Sequence, residues 1–296
     1  TPRDISLLEL KDYRNKFNDL YGFYGAYTIN PWYILGEDAY KTSMDRLLAN
    51  VQIGYKPVKW MDINYRIGTD FSADKRRQWT SKRIITDPQN QNYGNRNDGK
   101  YEETSINIRE FTSDLMVSGK RKLGKDLSLS VLIGHNVRSR DFTTLISTAN
   151  GLVVPEVYNL SNSKNRPTAV NQIINRRLWG IYTDINFAFK NYLFFGITAR
   201  NDWSSTLPKG NNSFFYPSVN ASFVFSELLH LPEFITYGKL RGSIAQVGND
   251  APPYALQSVF ESATVSDGYA NSQINFPLNG IPGFTQGDII GNPNLR

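Results

Sequence analysis

Six charged residues occupy the middle of segments that otherwise alternate apolar and polar: Asp62, Arg66, Asp114, Asp184, Arg200 and Asp202. Carboxylates and guanidinium groups so placed can pair with one another, hold a polar solute through charge-assisted hydrogen bonds, or line a water-filled path. A second set combines flat rings with amides and charges: Trp79, Tyr93, Tyr101, Trp203, Phe214 and Phe215, in or beside the stretches expected to be extracellular loops. Such platforms suit sugars and peptide backbones, and serve equally well to pack loops together. Bond-breaking chemistry has poorer raw material. The chain has no Cys and two His, His135 and His230, far apart. His135 falls on an apolar strand face, where a packed or interfacial ring is the simpler reading than a general base. No catalytic constellation, cofactor site or metal site is therefore expected, and the chain is read as a non-enzyme.

Other motifs resolve the same way. Glu102 and Glu103 are adjacent, and neighbouring strand residues point to opposite faces. There is no GxxxxGK[ST] phosphate loop, and Gly22-Phe23-Tyr24-Gly25 is too short for a dinucleotide turn. Asn95-Arg96-Asn97-Asp98-Gly99 and Asn249-Asp250 have calcium-loop composition without the EF-hand spacing or its closing Glu, so turns are expected. The formal net charge of +6 is spread along the chain, which argues against nucleic acid as a partner. The basic run Lys120-Arg121-Lys122 suits a solvated turn facing acidic lipid head groups.

The elements that must position these residues read as strands. Period-two alternation marks Leu47–Tyr55, Met61–Gly68, Phe111–Ser118, Leu127–Gly134, Gly180–Phe189, Leu193–Asp202, Ser218–Phe225 and, most weakly, Lys239–Ile244. About eight strands of roughly 10–14 residues suit tilted membrane crossings better than a soluble sandwich or propeller. Connections alternate in length. Residues 56–59, 120–126, 190–191 and 227–234 are short; 71–104, 138–175, 204–213 and the tail after Asn249 are long. That asymmetry marks outer-membrane barrels, with the short turns periplasmic. Tyr55, Trp60, Phe189, Tyr192, Phe225 and Tyr237 fall near short turns, and Phe71, Trp179, Trp203 and Tyr216 near long loops, as two interfacial belts would. No apolar run approaches a transmembrane helix, and Thr1-Pro2-Arg3-Asp4-Ile5-Ser6 lacks a signal-peptide pattern. Both ends are expected on the long-loop side, which predicts an arc of a larger barrel.

Several stretches resemble SusC/RagA-like TonB-dependent outer-membrane transporters. They are Asn30-Pro31-Trp32-Tyr33-Ile34-Leu35, the block Thr198–Pro208 with its continuation Asn212–Ser218, Lys239-Leu240-Arg241-Gly242-Ser243 with Gln246-Val247-Gly248-Asn249, and Gly291–Arg296. The resemblance implies an all-β fold: an antiparallel transmembrane β-barrel segment, part of a 22-stranded barrel plugged in the intact protein. It divides the chain into an extracellular segment 1–44, about eight barrel strands over 45–248, and an extracellular segment 249–296, without plug or N-terminal domains. It implies import of oligosaccharides or oligopeptides, a SusD-like lipoprotein partner, and energy from TonB, in the outer membrane of a Gram-negative bacterium. Asp62, Arg66, Asp114, Asp184, Arg200 and Asp202 would then face the lumen along the substrate path, and outer-membrane lipid would cover the other face. A passive porin or adhesin barrel and an outer-membrane enzyme are the alternatives.

Overall fold

The computed structural model describes residues 6–13, 30–82, 98–229, 232, 234–266, 273–287 and 290–292. Among these, Tyr93 and His230 are not included. Eight strands form one sheet in sequence order: β1 (Ala39–Val58), β2 (Met61–Thr80), β3 (Lys100–Lys122), β4 (Leu127–Asn150), β5 (Thr168–Phe189), β6 (Leu193–Ser204), β7 (Ser213–Phe223) and β8 (Leu240–Ala245). The pairings β5–β6, β6–β7 and β7–β8 are antiparallel. Short ladders follow, β9 (Phe260–Ser262) with β12 (Phe284–Gln286) and β10 (Thr264–Ser266) with β11 (Gln273–Asn275), in a segment expected to be only loop. The one α-helix among the described residues, α1 (Pro31–Glu37), has Pro at its first position, and the Asn30 side chain accepts from the Trp32 N–H at 3.0 Å. That cap explains the Asn-Pro-Trp sequence locally.

The first five strands are far longer than the alternation predicts, at 20, 20, 23, 24 and 22 residues. Much of 71–104 and 138–175, expected to be loop, is strand. A crossing strand needs about 9–11 residues. The apolar alternation supplies that length over 61–71, 111–119, 127–137, 179–189 and 193–203. Beyond it, the strands continue through 72–80, 100–110, 138–150 and 168–178 with a changed pattern. In the membrane stretches the odd-numbered face is apolar, as with Leu129, Val131 and Ile133 on β4. In the continuation the odd face carries Ser139, Asp141 and Thr143, while Phe142 and Ile146 sit on the even face. Backbone hydrogen bonding persists across this switch because it does not depend on which side chains meet the solvent.

Burial shows where the fold finds its apolar partner. The buried hydrophobic residues among those described are Leu10, Tyr101, Ala149, Leu152, Leu207, Val224 and Ala263, none within the membrane stretches just given. Yet Ile133, Ile181 and Leu115, on interior strands, remain 55%, 47% and 42% exposed. A continuous apolar face of this extent requires a hydrocarbon solvent or a partner surface. No described helix is long and apolar enough to cross a membrane. The crossing elements are the strands.

The chain divides into two compact units: residues 1–47, 70–109 and 141–174 form the first, and 48–69, 110–140 and 175–296 the second. Within the first, Tyr101, Ala149 and Leu152 make a small core against which Trp79, Tyr158 and Leu160 pack. Within the second, the β5–β6 register sets Trp179 opposite Trp203 and Tyr182 opposite Arg200. The β7–β8 register opposes Asn220 to Ser243 and Ser222 to Arg241. On β8 the polar face therefore falls on odd residues.

Candidate functional site

In the second unit, the even-numbered face of β2–β7 is a polar surface. Arg66 donates through Nη2 to Asp114 Oδ2 at 3.0 Å, and Asn136 Nδ2 donates to Asp114 Oδ1 at 2.5 Å. Asp114 is buried, while the Arg66 side chain is half exposed. On β6, Arg200 Nε donates to both oxygens of Asp202, at 2.8 and 2.9 Å. The Tyr216 hydroxyl donates to Asp202 as well. The Arg200 guanidinium also lies over the Tyr182 ring, 5.3 Å from its centroid.

Glycines make room for this surface. The Tyr182 ring occupies the space a Cβ on Gly134 would need, and the Asp202 carboxylate does the same at Gly180. A side chain at either position would displace the polar groups or bend the strand. The sequence reading found four of the clustered residues, Arg66, Asp114, Arg200 and Asp202. It missed Asn136, Tyr182 and Tyr216, although their even positions on the same strands were a legible signal. Asp184 and Asp62 share this face but stand apart from the clusters. Asp184 accepts from Asn186, and Asp62 pairs with Lys56 at 3.2 Å.

The first unit carries its own polar pairs at even positions. Arg46 grips Asp70 at 2.9 and 2.6 Å, and Asp74 accepts from Thr42 at 2.9 Å and from Arg76 at 2.8 Å. Lys100 and Thr148 hold Glu102, whereas Glu103 accepts from the Tyr101 hydroxyl, so the adjacent carboxylates do diverge. A hollow of about 330 Å3 opens among Tyr40, Arg76, Gln78, Glu102, Thr104 and Ile146.

The aromatic set is placed on strands rather than in loops. Trp79 lies on β2, Tyr101 on β3, Trp203 on β6, and Phe214 and Phe215 on β7; Tyr93 lies outside the described residues. Trp79 stacks on Tyr158 with centroids 4.8 Å apart and donates through Nε1 to the Glu37 carbonyl at 3.1 Å. The Tyr158 hydroxyl reaches the same carbonyl, and burial together with the nearby Glu37 charge pushes its pKa up to about 12. Trp203 stacks on Trp179 at 3.9 Å, and His135 lies 6.0 Å from Trp179 on the apolar face. Phe214 stacks on Tyr216, while Phe215 stays 58% exposed on the apolar face.

Asp250, read from sequence as a turn residue, proves to be a nearly buried anchor. Arg176 grips it with two donors, and Ser204 Oγ and Thr206 Oγ1 donate to it at 2.6 and 3.2 Å. Its oxygens are thus engaged by protein donors. Among the described residues, no group of three or more His, Cys, Asp or Glu is arranged to hold a metal ion.

A long-stranded antiparallel sheet with one lipid-type face and one charged face is a wall segment of a transmembrane β-barrel. Comparison with known proteins refines the class. No family model matches. TonB-dependent receptor P26 of Formosa agariphila is 25% identical over 274 residues, covering 90% of this chain and 26% of the relative. The RagAB peptide transporter superposes with a TM-score of 0.74 at 17% identity, covering 94% of this chain and 29% of that one. The RagAB peptide importer in its closed-closed and open-open states gives 0.72 in each case, at 16% and 17% identity. The chain thus spans under a third of the length of these proteins. The likeness in sequence is to a TonB-dependent receptor, and the likeness in fold is to the chain of a peptide transporter.

Proposed function

We propose that the chain forms part of the wall of an outer-membrane importer, with the charged face of β2–β7 turned toward the lumen. The observation that carries this reading is the contrast between the two faces. One is apolar and solvent-exposed in the absence of a core. The other holds two polar clusters, Arg66–Asp114–Asn136 and Tyr182–Arg200–Asp202–Tyr216. Paired charges of both signs offer donors and acceptors to a zwitterionic or hydroxyl-rich solute without binding it so tightly that it cannot move on.

Oligopeptides are the first cargo to test, since RagAB is a peptide transporter and its barrel shares this fold; oligosaccharides are the second. A SusD-like lipoprotein would deliver the cargo, and TonB would supply energy through a plug domain. The wall makes and breaks no bonds in this scheme. The test is uptake of labelled oligopeptide and oligosaccharide mixtures by Gram-negative cells expressing the full-length protein, with and without TonB. Import that needs TonB and falls in a D114A/D202A variant with normal surface abundance supports the reading. Equal uptake without TonB would instead assign a passive porin, and unchanged uptake in the variant would remove these carboxylates from the path.

A further inference from the structure

On the odd-numbered, lipid-side face of the first unit lies a groove of about 590 Å3 that the import reading does not use. Its odd-face lining comprises Lys41 and Ser43 on β1, Lys75 and Arg77 on β2, and Glu103 and Ser105 on β3, with Leu145 and Ser147 of β4 at its side. Three cations thus stand against one carboxylate. The Arg76 guanidinium also borders the groove, but it is committed to Asp74. Lys41, on the groove's edge, also lies 5.2 Å from the centroid of the Trp79 ring. Trp79 is itself stacked on Tyr158.

At the other end the same face becomes apolar. Leu47 on β1 and Phe71 on β2 are both exposed and belong to the same unit and the same parity. The depth of the cations follows from strand geometry. Lys75 is four residues from Phe71, about 13 Å along the strand at roughly 3.3 Å per residue. With a tilt near 40°, this is about 10 Å along the membrane normal, just outside the hydrocarbon, where head groups lie.

We infer that this groove binds the phosphorylated sugar head group of an outer-leaflet glycolipid, its acyl chains lying against the apolar face below. Lys41, Lys75 and Arg77 supply charge to phosphate, Ser43, Ser105 and Ser147 supply hydroxyls to sugar, and Leu47 and Phe71 continue the contact into hydrocarbon. The cations are long enough to reach phosphates at that depth while their stems cover the rim of the band. The inference rests on the outer-membrane reading.

The test uses the full-length protein extracted from outer membranes in detergent. Bisphosphorylated lipid A is titrated and the adducts are counted by native mass spectrometry. Half-saturation is expected at a concentration about tenfold lower for the wild type than for K41Q/K75Q/R77Q, since each cation near an anionic surface contributes roughly fivefold before screening. Dephosphorylated lipid A should bind the wild type as weakly as bisphosphorylated lipid binds the triple variant, a comparison that needs no mutant to fold. A K120Q/K122Q control, at the opposite end of β3 from Glu103, should bind like the wild type. Equal binding of the two lipids or equal loss in the control would overturn the head-group assignment. So would loss of a copurifying polypeptide, rather than lipid, from the triple variant. Release of the protein from cells without detergent would instead overturn the membrane reading beneath it.

Discussion

Strand β4 joins two unlike stretches in one hydrogen-bonded ladder. Over 127–137 its odd positions are Leu127, Leu129, Val131, Ile133, His135 and Val137, with mainly small and polar residues between them. Over 138–150 the odd positions are Ser139, Asp141, Thr143, Leu145, Ser147 and Ala149, and Phe142 and Ile146 appear at even positions beside Arg138, Arg140, Thr144 and Thr148. The backbone conformation is the same throughout. What changes is the medium each face meets. Amphipathic phase therefore reports the solvent around a strand, and a reader who follows only one phase sees the strand stop where the hydrocarbon stops.

That comparison can be broken most forcefully with one charge placed in each stretch. Val131→Arg should destabilise the barrel by about 2–4 kcal/mol, the cost of a cation facing mid-bilayer lipid. Thr143→Arg, at a partly buried polar site on the same face of the same strand, should cost about 1 kcal/mol or less. Urea unfolding of the full-length protein in lipid vesicles measures both. Similar costs at the two positions would refute the boundary drawn between the stretches.

Next in size is the close fit of Tyr182 over Gly134. Gly134→Val forces a side chain into the ring and should cost about 1–3 kcal/mol. Adding Tyr182→Ala should recover much of that loss. Gly242→Ala, on β8 with nothing within 4 Å of the added carbon, should be nearly silent in the same assay.

Paired charges sharpen the contrast further. Asp114→Ala strands Arg66 and Asn136, and should cost about 1–2 kcal/mol after allowance for the half-exposed guanidinium. Asp70→Ala, which releases the exposed Arg46, should cost less than Asp114→Ala. A double-mutant cycle with Arg66→Met separates the Asp114–Arg66 coupling from the loss of Asn136.

The smallest effect is a pH response of the first unit. Tyr158 has its pKa raised to about 12 from an ordinary value of 10.0. The folded state thus prefers the neutral phenol, so this contribution is whole below about pH 10 and is lost as pH rises toward 12. Amide hydrogen exchange in 151–167 should rise across that window, beyond the increase from base catalysis alone. Tyr158→Phe, which cannot ionise, should lack the extra rise.

Much of this was legible in the sequence because a strand in a bilayer obeys a strict rule. Side chains alternate, one face must be apolar over about ten residues, and charge on the other face is tolerated only beside water or a partner. The eight strands, the shared face of Asp62, Arg66, Asp114, Asp184, Arg200 and Asp202, and the divergence of Glu102 from Glu103 all follow from that rule. The resemblance in Thr198–Pro208 also acquires a local cause. Arg200 and Asp202 pair on the polar face, Trp203 stacks on Trp179, and Ser204 and Thr206 anchor Asp250.

Tertiary structure decided what the alternation cannot encode. Register chose the partners, because a pattern of period two is unchanged when one strand slides past another by two residues. It set Tyr182 against Arg200, brought Asn220 opposite Ser243, and made Gly134 and Gly180 necessary. The continuation of β2–β5 beyond the membrane depended on backbone pairing between strands, which no single-face pattern announces. The role of Trp79 was settled by Tyr158, a residue 79 positions away. Sequence alone determined which faces must be dry and which must be wet, because transfer of side chains between media is a local property. Which wet residues touch, and through which neighbour, was fixed only when the strands paired.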